Sequence, residues 1–150
     1  MVIYLVIILV IFLGDLWIKK YIENHYGDSR IEKKCNGKIL IRKYHNRGFA
    51  LNIGQNRNKV VVGISLAMTL AVFLLFLLSF GTRGNRLLRT GLSLVLGGAF
   101  SNTYDRLRHN YVVDYISFGV KWKRLRKIIF NVSDFCIIIG ALLSALGASQ

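Results

Sequence analysis

The chain has 150 residues, of which 53% are hydrophobic, and its mean hydropathy is +0.44. This composition is too apolar for an ordinary soluble domain and the chain is too short for several domains, so we predict one membrane-embedded domain over residues 1–150. The net charge of +14 does not indicate a nucleic-acid partner. The basic residues lie between apolar stretches, where anionic lipid head groups are the nearer partner.

Four apolar stretches are long enough to cross a hydrocarbon core, which takes about 20 residues in a helix. They cover roughly residues 1–20, 60–80, 87–105 and 128–148. The first stretch lacks a basic start and a small-residue cleavage site, so we expect a retained helix and not a removable signal peptide. The predicted fold class is therefore all-α and integral to a membrane, with four transmembrane helices.

A polar segment follows the first stretch and contains KCNGKILIRKYHN, residues 34–46. Its Asn-Gly pair is typical of a tight turn, and a short apolar run follows the pair. We therefore predict a small β element on the membrane surface, formed by this first loop.

The cysteines and histidines do not indicate a metal or a disulfide. Cys35 lies in the polar loop and Cys136 lies inside the last apolar stretch, so both are predicted to be free thiols. The three histidines are scattered without the spacing of metal ligands. We expect no metal and no cofactor.

Acidic residues are few, and their positions are informative. Of the seven, four lie in or beside the apolar stretches: Asp15, Asp105, Asp114 and Asp134. An ionised carboxylate at the bilayer centre costs at least about 2.5 kcal/mol, so such groups face a partner or a wet cavity. All four are candidate functional residues.

Two of the acids have basic neighbours at helical spacing. Asp15 and Lys19 are four residues apart, which predicts either a structural ion pair near the membrane interface or a direct contact with a substrate. Asn102, Asp105 and Arg106 share one helix face, which predicts either a neutralised polar cluster or a clamp for a substrate.

Asp114 and Asp134 have no such neighbours and invite pairing with each other. Two carboxyl groups in a low-dielectric pocket cannot both ionise, so one keeps its proton and the pair divides into an acid and a base. Such a pair can activate water against a peptide carbonyl. The alternative is a non-catalytic four-span protein that uses the same aspartates in a proton or ion pathway.

The chain has three distinctive motifs, GGAFSNTYDR at 97–106, VVDY at 112–115 and FNVSD at 130–134, and two weaker ones, DLWIK at 15–19 and NRGFAL at 46–51. Together they resemble the motifs of lipoprotein signal peptidase, or signal peptidase II, an intramembrane aspartic peptidase of bacteria. The resemblance covers essentially the whole chain and implies that Asp114 and Asp134 are the catalytic pair. It implies a substrate-binding or dyad-supporting role for Asn46, Gly48, Asn102, Asp105, Arg106 and Asn131, and a structural role for Asp15, Lys19 and Gly98.

The resemblance also implies the substrate and the location. The expected reaction removes the signal peptide of a diacylglyceryl-modified prolipoprotein, with cleavage before the lipidated cysteine. The expected partners are this prolipoprotein, membrane lipids and globomycin-like cyclic peptide inhibitors, and the protein is expected to be a monomer in the bacterial inner membrane.

Two features leave questions open. Ser133 and Tyr115 stand where the family usually has alanine and phenylalanine, so the shape of the pocket is left open.

The family implies that both termini are cytoplasmic and that the active site lies toward the extracytoplasmic face. The loop charges predict the reverse, with nine basic residues over 30–59 against three over 83–89. We adopt the orientation that the resemblance implies, because the motifs are more specific than a charge bias.

Overall fold

A computed structural model describes residues 1–27, 29–49, 54, 57–81, 85–120, 122, 126 and 128–149. Within these residues lie four long helices: α1 (Val2–His25), α2 (Asn58–Leu78), α3 (Arg86–His109) and α4 (Val132–Ala148). A small sheet contains β1 (Ile31–Lys34), β2 (Ile39–Asn46) and β3 (Val112–Phe118). The mostly helical architecture, with a helix at each predicted place, is confirmed.

Two of the described helices are apolar and long enough to cross a membrane. They are α1 and α2, the latter counted with the short 3₁₀ turn that extends it to Gly81, and each has 24 residues. A helix of that length measures about 36 Å, more than the roughly 30 Å of a hydrocarbon core. The helix α4 is also apolar but has 17 residues, so the count of four transmembrane spans stays a prediction.

The helix α3 lies at the centre, in contact with α1, α2 and α4. Its backbone is very close to that of α4, because a Cβ atom on Gly98 would lie 2.6 Å from the carbonyl oxygen of Ser133. A Cβ atom on Gly91 would lie 2.5 Å from the backbone nitrogen of Ser144. Only glycine permits such contacts between helices, and they bring the beginning of α4 against the middle of α3.

Among the residues that the structure describes, buried apolar side chains form two separate clusters. One contains Tyr4, Ile8, Phe76, Leu92 and Leu96, where α1, α2 and α3 meet at one end of the bundle. The other contains Ile22, Tyr26, Val113 and Tyr115, where the sheet meets the end of α1. Along α1, the buried residues between the two clusters are Asp15 and Lys19, so a polar layer separates the apolar ones.

The sheet is antiparallel in the order β1-β2-β3. The predicted β element and its tight turn are confirmed, since β1 and β2 pair across a turn that contains Cys35–Gly37, in which Asn36 and Gly37 both have positive φ. The prediction that the first loop alone forms the β element was incomplete. The third strand, β3, follows α3 and has the sequence VVDYISF, whose β-branched and aromatic residues favour a strand.

Candidate active site

Asp114 lies on β3, opposite Tyr44 of β2 in the antiparallel pairing, and only 2% of it is exposed. The Asn46 side-chain amide, at the end of β2, donates a hydrogen bond to Asp114 Oδ2 at 2.9 Å. The backbone N–H of Gly48 donates to Asn46 Oδ1 at 3.0 Å, which fixes the orientation of that amide. The end of β2 therefore holds one face of the Asp114 carboxyl group.

Asp134 lies in the first turn of α4, where Asn131 is the N-cap. Asn131 Oδ1 accepts a hydrogen bond from the backbone N–H of Asp134 at 2.9 Å, and Asp134 Oδ2 accepts one from the backbone N–H of Asn131 at 3.0 Å. This reciprocal capping box fixes the Asp134 rotamer. The helix dipole also favours negative charge at this end of a helix.

The Asn131 side chain joins the two aspartates. Its Nδ2 donates to Asp114 Oδ1 at 2.7 Å and to Asn102 Oδ1 at 3.1 Å, and Asn131 is fully buried. Asn102 Nδ2 in turn donates to Asp134 Oδ1 at 3.1 Å. Asp114 and Asp134 are therefore connected through the side chains of Asn131 and Asn102, with amide donors beside both carboxyl groups.

The electrostatics of Asp114 follow from this arrangement. Burial raises its pKa most, and the neighbouring Asp134 carboxylate raises it further, to about 7. Hydrogen bonds from Asn46 and Asn131 and the positive charge of Lys19 act in the opposite direction. A carboxyl group with such a pKa can hold a proton near neutral pH and is suited to acid and base chemistry.

Lys19 lies beside the pair at the centre of a buried polar network, and only 2% of it is exposed. Its Nζ is 2.9 Å from Asp15 Oδ2 and 3.0 Å from Asp105 Oδ2. It also donates to Ser101 Oγ at 2.8 Å and to Asn102 Oδ1 at 2.9 Å. Of the two interpretations of Asp15 and Lys19, the observed contacts favour the structural ion pair, which connects α1 to α3.

Asp105 and Arg106 have different surroundings, although they are adjacent on α3. Asp105 pairs with Lys19 and accepts a hydrogen bond from the backbone N–H of Val113 at 3.3 Å. Arg106 Nη2 donates to the Gly48 carbonyl at 3.1 Å. Within the described residues Arg106 Nε has no hydrogen-bond partner. Asp105 thus belongs to the neutralised cluster, whereas Arg106 keeps a free donor.

A cavity of about 570 Å³ opens beside Asp134. Polar groups on its wall come from Asn102, Arg106 and Asp134 and from the hydroxyl-bearing residues Ser65, Thr69 and Thr103. The rest of the wall is largely apolar: Phe49, Ile64, Met68, Val72, Val95, Ala99 and Ile137. A cleft of this kind suits a ligand that is mostly apolar and has a few polar groups to be oriented.

The sequence-based assignment missed a role for three hydroxyl groups around Asp15. Ser101 and Ser133 donate to Asp15 Oδ2, and Tyr115 donates to Asp15 Oδ1 at 2.9 Å. Small polar residues in an apolar stretch pack equally well without such a role, so their type alone does not reveal it. Ser133 and Tyr115 were noticed only as departures from a family pattern.

The site thus combines a buried Asp114, a half-buried Asp134, amide donors and a largely apolar cavity in a helical bundle. A sequence profile described as Signal peptidase (SPase) II matches residues 7–149. The chain therefore belongs to the signal peptidase II family, and it is a peptidase of bacterial membranes. Membership also supports a role in the processing of lipoprotein signal peptides.

Similar proteins agree with this assignment. The chain is 32% identical to a lipoprotein signal peptidase of Coxiella burnetii over 139 residues, which is 91% of this chain and 82% of that protein. It is 32% identical to a lipoprotein signal peptidase of Clostridioides difficile over 140 residues, 93% of this chain and 89% of that one. It is 29% identical to the one of Halothermothrix orenii over 144 residues, 96% and 92% of the two chains.

Solved structures show the same fold. One, of a bacterial membrane enzyme solved by the in meso method at 2.3 Å resolution, has a TM-score of 0.84 and 20% identity, and the match covers 99% of this chain and 88% of that one. Another bacterial membrane enzyme, solved at 1.9 Å, has a TM-score of 0.81 and 20% identity, over 100% and 94% of the two chains.

The buried ion network predicts a large difference between two adjacent lysines. Lys19→Met leaves Asp15 and Asp105 as buried charges without their cation, which destabilises a protein by about 3–5 kcal/mol. Lys20→Met is the control, because Lys20 is exposed. Thermal unfolding of the purified proteins in detergent is expected to show a large loss of stability for Lys19→Met only; equal melting temperatures for the two variants would contradict the assigned network.

Proposed function

We propose that the chain is an intramembrane aspartic endopeptidase in which Asp114 and Asp134 form the catalytic dyad. The observation that carries this proposal is that Asn131 bonds both carboxyl groups beside a cavity that Asp134 lines: its side-chain amide donates to Asp114 Oδ1 and its backbone N–H donates to Asp134 Oδ2. Within the described residues no cluster of His, Cys, Asp and Glu side chains has the arrangement of a metal site. The proposed mechanism needs only the two carboxyl groups and water.

The two aspartates have environments that favour different roles. Asp114 is deeply buried and its pKa is raised to about 7, so it holds the proton at rest. Asp134 accepts a backbone N–H bond at the N-terminus of α4, which stabilises its ionised form. Asp134 therefore takes a proton from water as the water attacks the scissile carbonyl. Asp114 protonates the developing oxyanion, and the leaving amine takes its proton from the dyad.

Polar groups around the dyad have supporting roles. Asn46, oriented by Gly48, and Asn131 hold Asp114. Asn102 donates a hydrogen bond to Asp134. Arg106, which lines the cavity and has a donor at Nε without a partner among the described residues, is proposed to donate to the backbone of the substrate. Amide and guanidinium groups suit this task because they present hydrogen-bond donors in a fixed geometry. Asp105 acts indirectly, through its ion pair with Lys19.

The proposed substrate is a prolipoprotein that carries a diacylglyceryl group on cysteine, with cleavage before that residue. The apolar wall of the 570 Å³ cavity supports it, since signal peptide and acyl chains are both apolar. The names of the relatives point to the same class of substrate. Globomycin-like cyclic peptides are proposed to compete for this cavity, and the protein is proposed to act as a monomer.

The dyad is tested by replacing each carboxyl group with an amide. Asp114→Asn and Asp134→Asn are expected to lower kcat for a synthetic lipidated precursor by about 10³-fold, because acid or base catalysis is lost. The control is Glu32→Gln, which removes an acid that pairs with Lys34 on the sheet, away from the cavity. Unchanged cutting by either Asp variant would contradict the mechanism. Proton or ion flux through the purified protein without cleavage would favour the pathway alternative.

The raised pKa of Asp114 predicts how activity depends on pH. Below about pH 7 Asp114 keeps its proton, whereas above it the Asp114 carboxyl group is ionised and the general acid is lost. The kcat is therefore expected to fall on the alkaline side of about pH 7, approaching tenfold per pH unit. The measurement is the pH profile of kcat in detergent, and constant activity up to pH 9 would contradict the assigned acid.

We further propose that both termini are cytoplasmic and that the dyad lies toward the extracytoplasmic face. In the structure β1, β2 and β3 lie at the dyad end of the bundle, opposite the Tyr4 cluster. Cys35, in the turn between β1 and β2, is exposed, and Cys136 in α4 is half-buried. The two thiols thus report on opposite environments.

Labelling in intact cells tests this orientation. A variant that keeps only Cys35 (Cys136→Ser) is expected to react with a membrane-impermeant maleimide before lysis. The control variant, which keeps only Cys136 (Cys35→Ser), is expected to stay unlabelled because the bilayer and neighbouring helices protect α4. Labelling of Cys35 only after lysis would reverse the orientation.

A further inference from the structure

Two hydroxyl groups next to the aspartates converge on the Asp15 carboxylate. Tyr115, which follows Asp114 in the chain, donates to Asp15 Oδ1 at 2.9 Å. Ser133, which precedes Asp134, donates to Asp15 Oδ2. Asp15 is 1% exposed, and the two donors are 3% and 0% exposed. One carboxylate on α1 is thus bonded to both of the segments that carry the dyad.

The Tyr115 hydroxyl makes a second connection. Its oxygen accepts a hydrogen bond from the backbone N–H of Val132 at 3.2 Å, and Val132 is the first residue of α4. Burial, and then the negative charge of Asp15, raise the pKa of Tyr115, so the hydroxyl keeps its proton and remains a donor. The same oxygen therefore links β3, α1 and the beginning of α4.

The acceptor is itself held in place. Lys19 Nζ lies 2.9 Å from Asp15 Oδ2 and compensates its charge, and Ser101 Oγ of α3 donates to the same Oδ2 at 2.7 Å. Asp15 therefore makes bonds to α3 as well as to the two dyad segments. β3 and α4 are thus both hydrogen-bonded to the same carboxylate on α1.

We propose that Tyr115 and Ser133 are positioning residues that hold Asp114 and Asp134 at their working separation through Asp15. The inference rests on the proposed dyad function and concerns this chain's own two hydroxyls. Neither residue touches the substrate in this arrangement, as neither lines the cavity beside Asp134. Their contribution is geometric, and a misplacement of about 1 Å in a catalytic group can cost roughly 10²-fold in rate.

Tyr115 on β3 and Ser133 on α4 both donate to Asp15, so the loss of either hydrogen bond breaks the link that runs through this carboxylate. Tyr115→Phe removes both this connection and the bond from Val132. It is expected to lower kcat about tenfold, while Ser133→Ala lowers it about threefold, within the range that displaced catalytic groups show. The KM for the lipidated precursor is expected to stay unchanged, because the cavity wall is intact.

The double variant distinguishes this arrangement from two independent contacts. Once Tyr115→Phe has broken the link through Asp15, adding Ser133→Ala is expected to change kcat little. The kcat of the double variant is therefore expected to fall about tenfold and not about thirtyfold. Matched controls are Tyr4→Phe, in the apolar cluster at the other end of the bundle, and Ser93→Ala, whose hydroxyl bonds the Arg89 carbonyl within α3. Both controls are expected to keep the wild-type kcat.

Melting temperatures of the same variants give a readout that does not depend on cleavage. Ser133→Ala is expected to lower the melting temperature by about 3 °C, as loss of one buried hydrogen bond does, and Tyr115→Phe by about twice that, because its hydroxyl makes two. The double variant is expected to lower it by less than the sum. Independent effects on kcat or on melting temperature, or a rise in KM at constant kcat, would overturn the positioning role. A wild-type protein that cuts no lipidated precursor would contradict the proposed function instead, and the melting temperatures would still decide whether the hydroxyls act as one unit.

Discussion

The constraint behind this structure is that acidic groups buried in an apolar bundle must be compensated. Lys19 supplies one positive charge to Asp15 and Asp105 at about 3 Å each, and hydroxyl and amide donors satisfy the remaining oxygen atoms. A buried charge without such partners costs several kcal/mol. The position of α1 against α3 follows from this requirement as much as from apolar packing.

The two acids beside Lys19 and the two acids of the proposed dyad have different neighbours. Asp15 and Asp105 face a cation, whereas Asp114 and Asp134 face Asn46, Asn102 and Asn131. An amide donor orients a carboxyl group without adding a full positive charge, so Asp114 can keep a pKa of about 7. Four aspartates in one bundle thus have two kinds of surroundings, set by the type of group beside them.

Glycine contacts decide where these groups lie relative to the cavity. The close approach of α3 to α4 at Gly98 places Asn102 within hydrogen-bond distance of Asp134 and Asn131. The sheet then closes the same end, because β3 pairs with β2 and carries Asp114 to the N-terminus of α4. Helix packing and strand pairing act together, since each carries one of the two carboxyl groups.

Local patterns in the sequence were sufficient to predict the helices, the Asn-Gly turn, the Asp15–Lys19 pair and the four unusual acids. Helical periodicity, turn chemistry and the cost of burying charge each depend on only a few neighbouring residues. The strand β3, the separation of Asp105 from Arg106, and the convergence of Tyr115 and Ser133 on Asp15 were decided only by the tertiary structure. These features join residues up to 118 positions apart. No local pattern encodes which distant carboxylate a buried hydroxyl will reach, because that depends on how closely the helices pack.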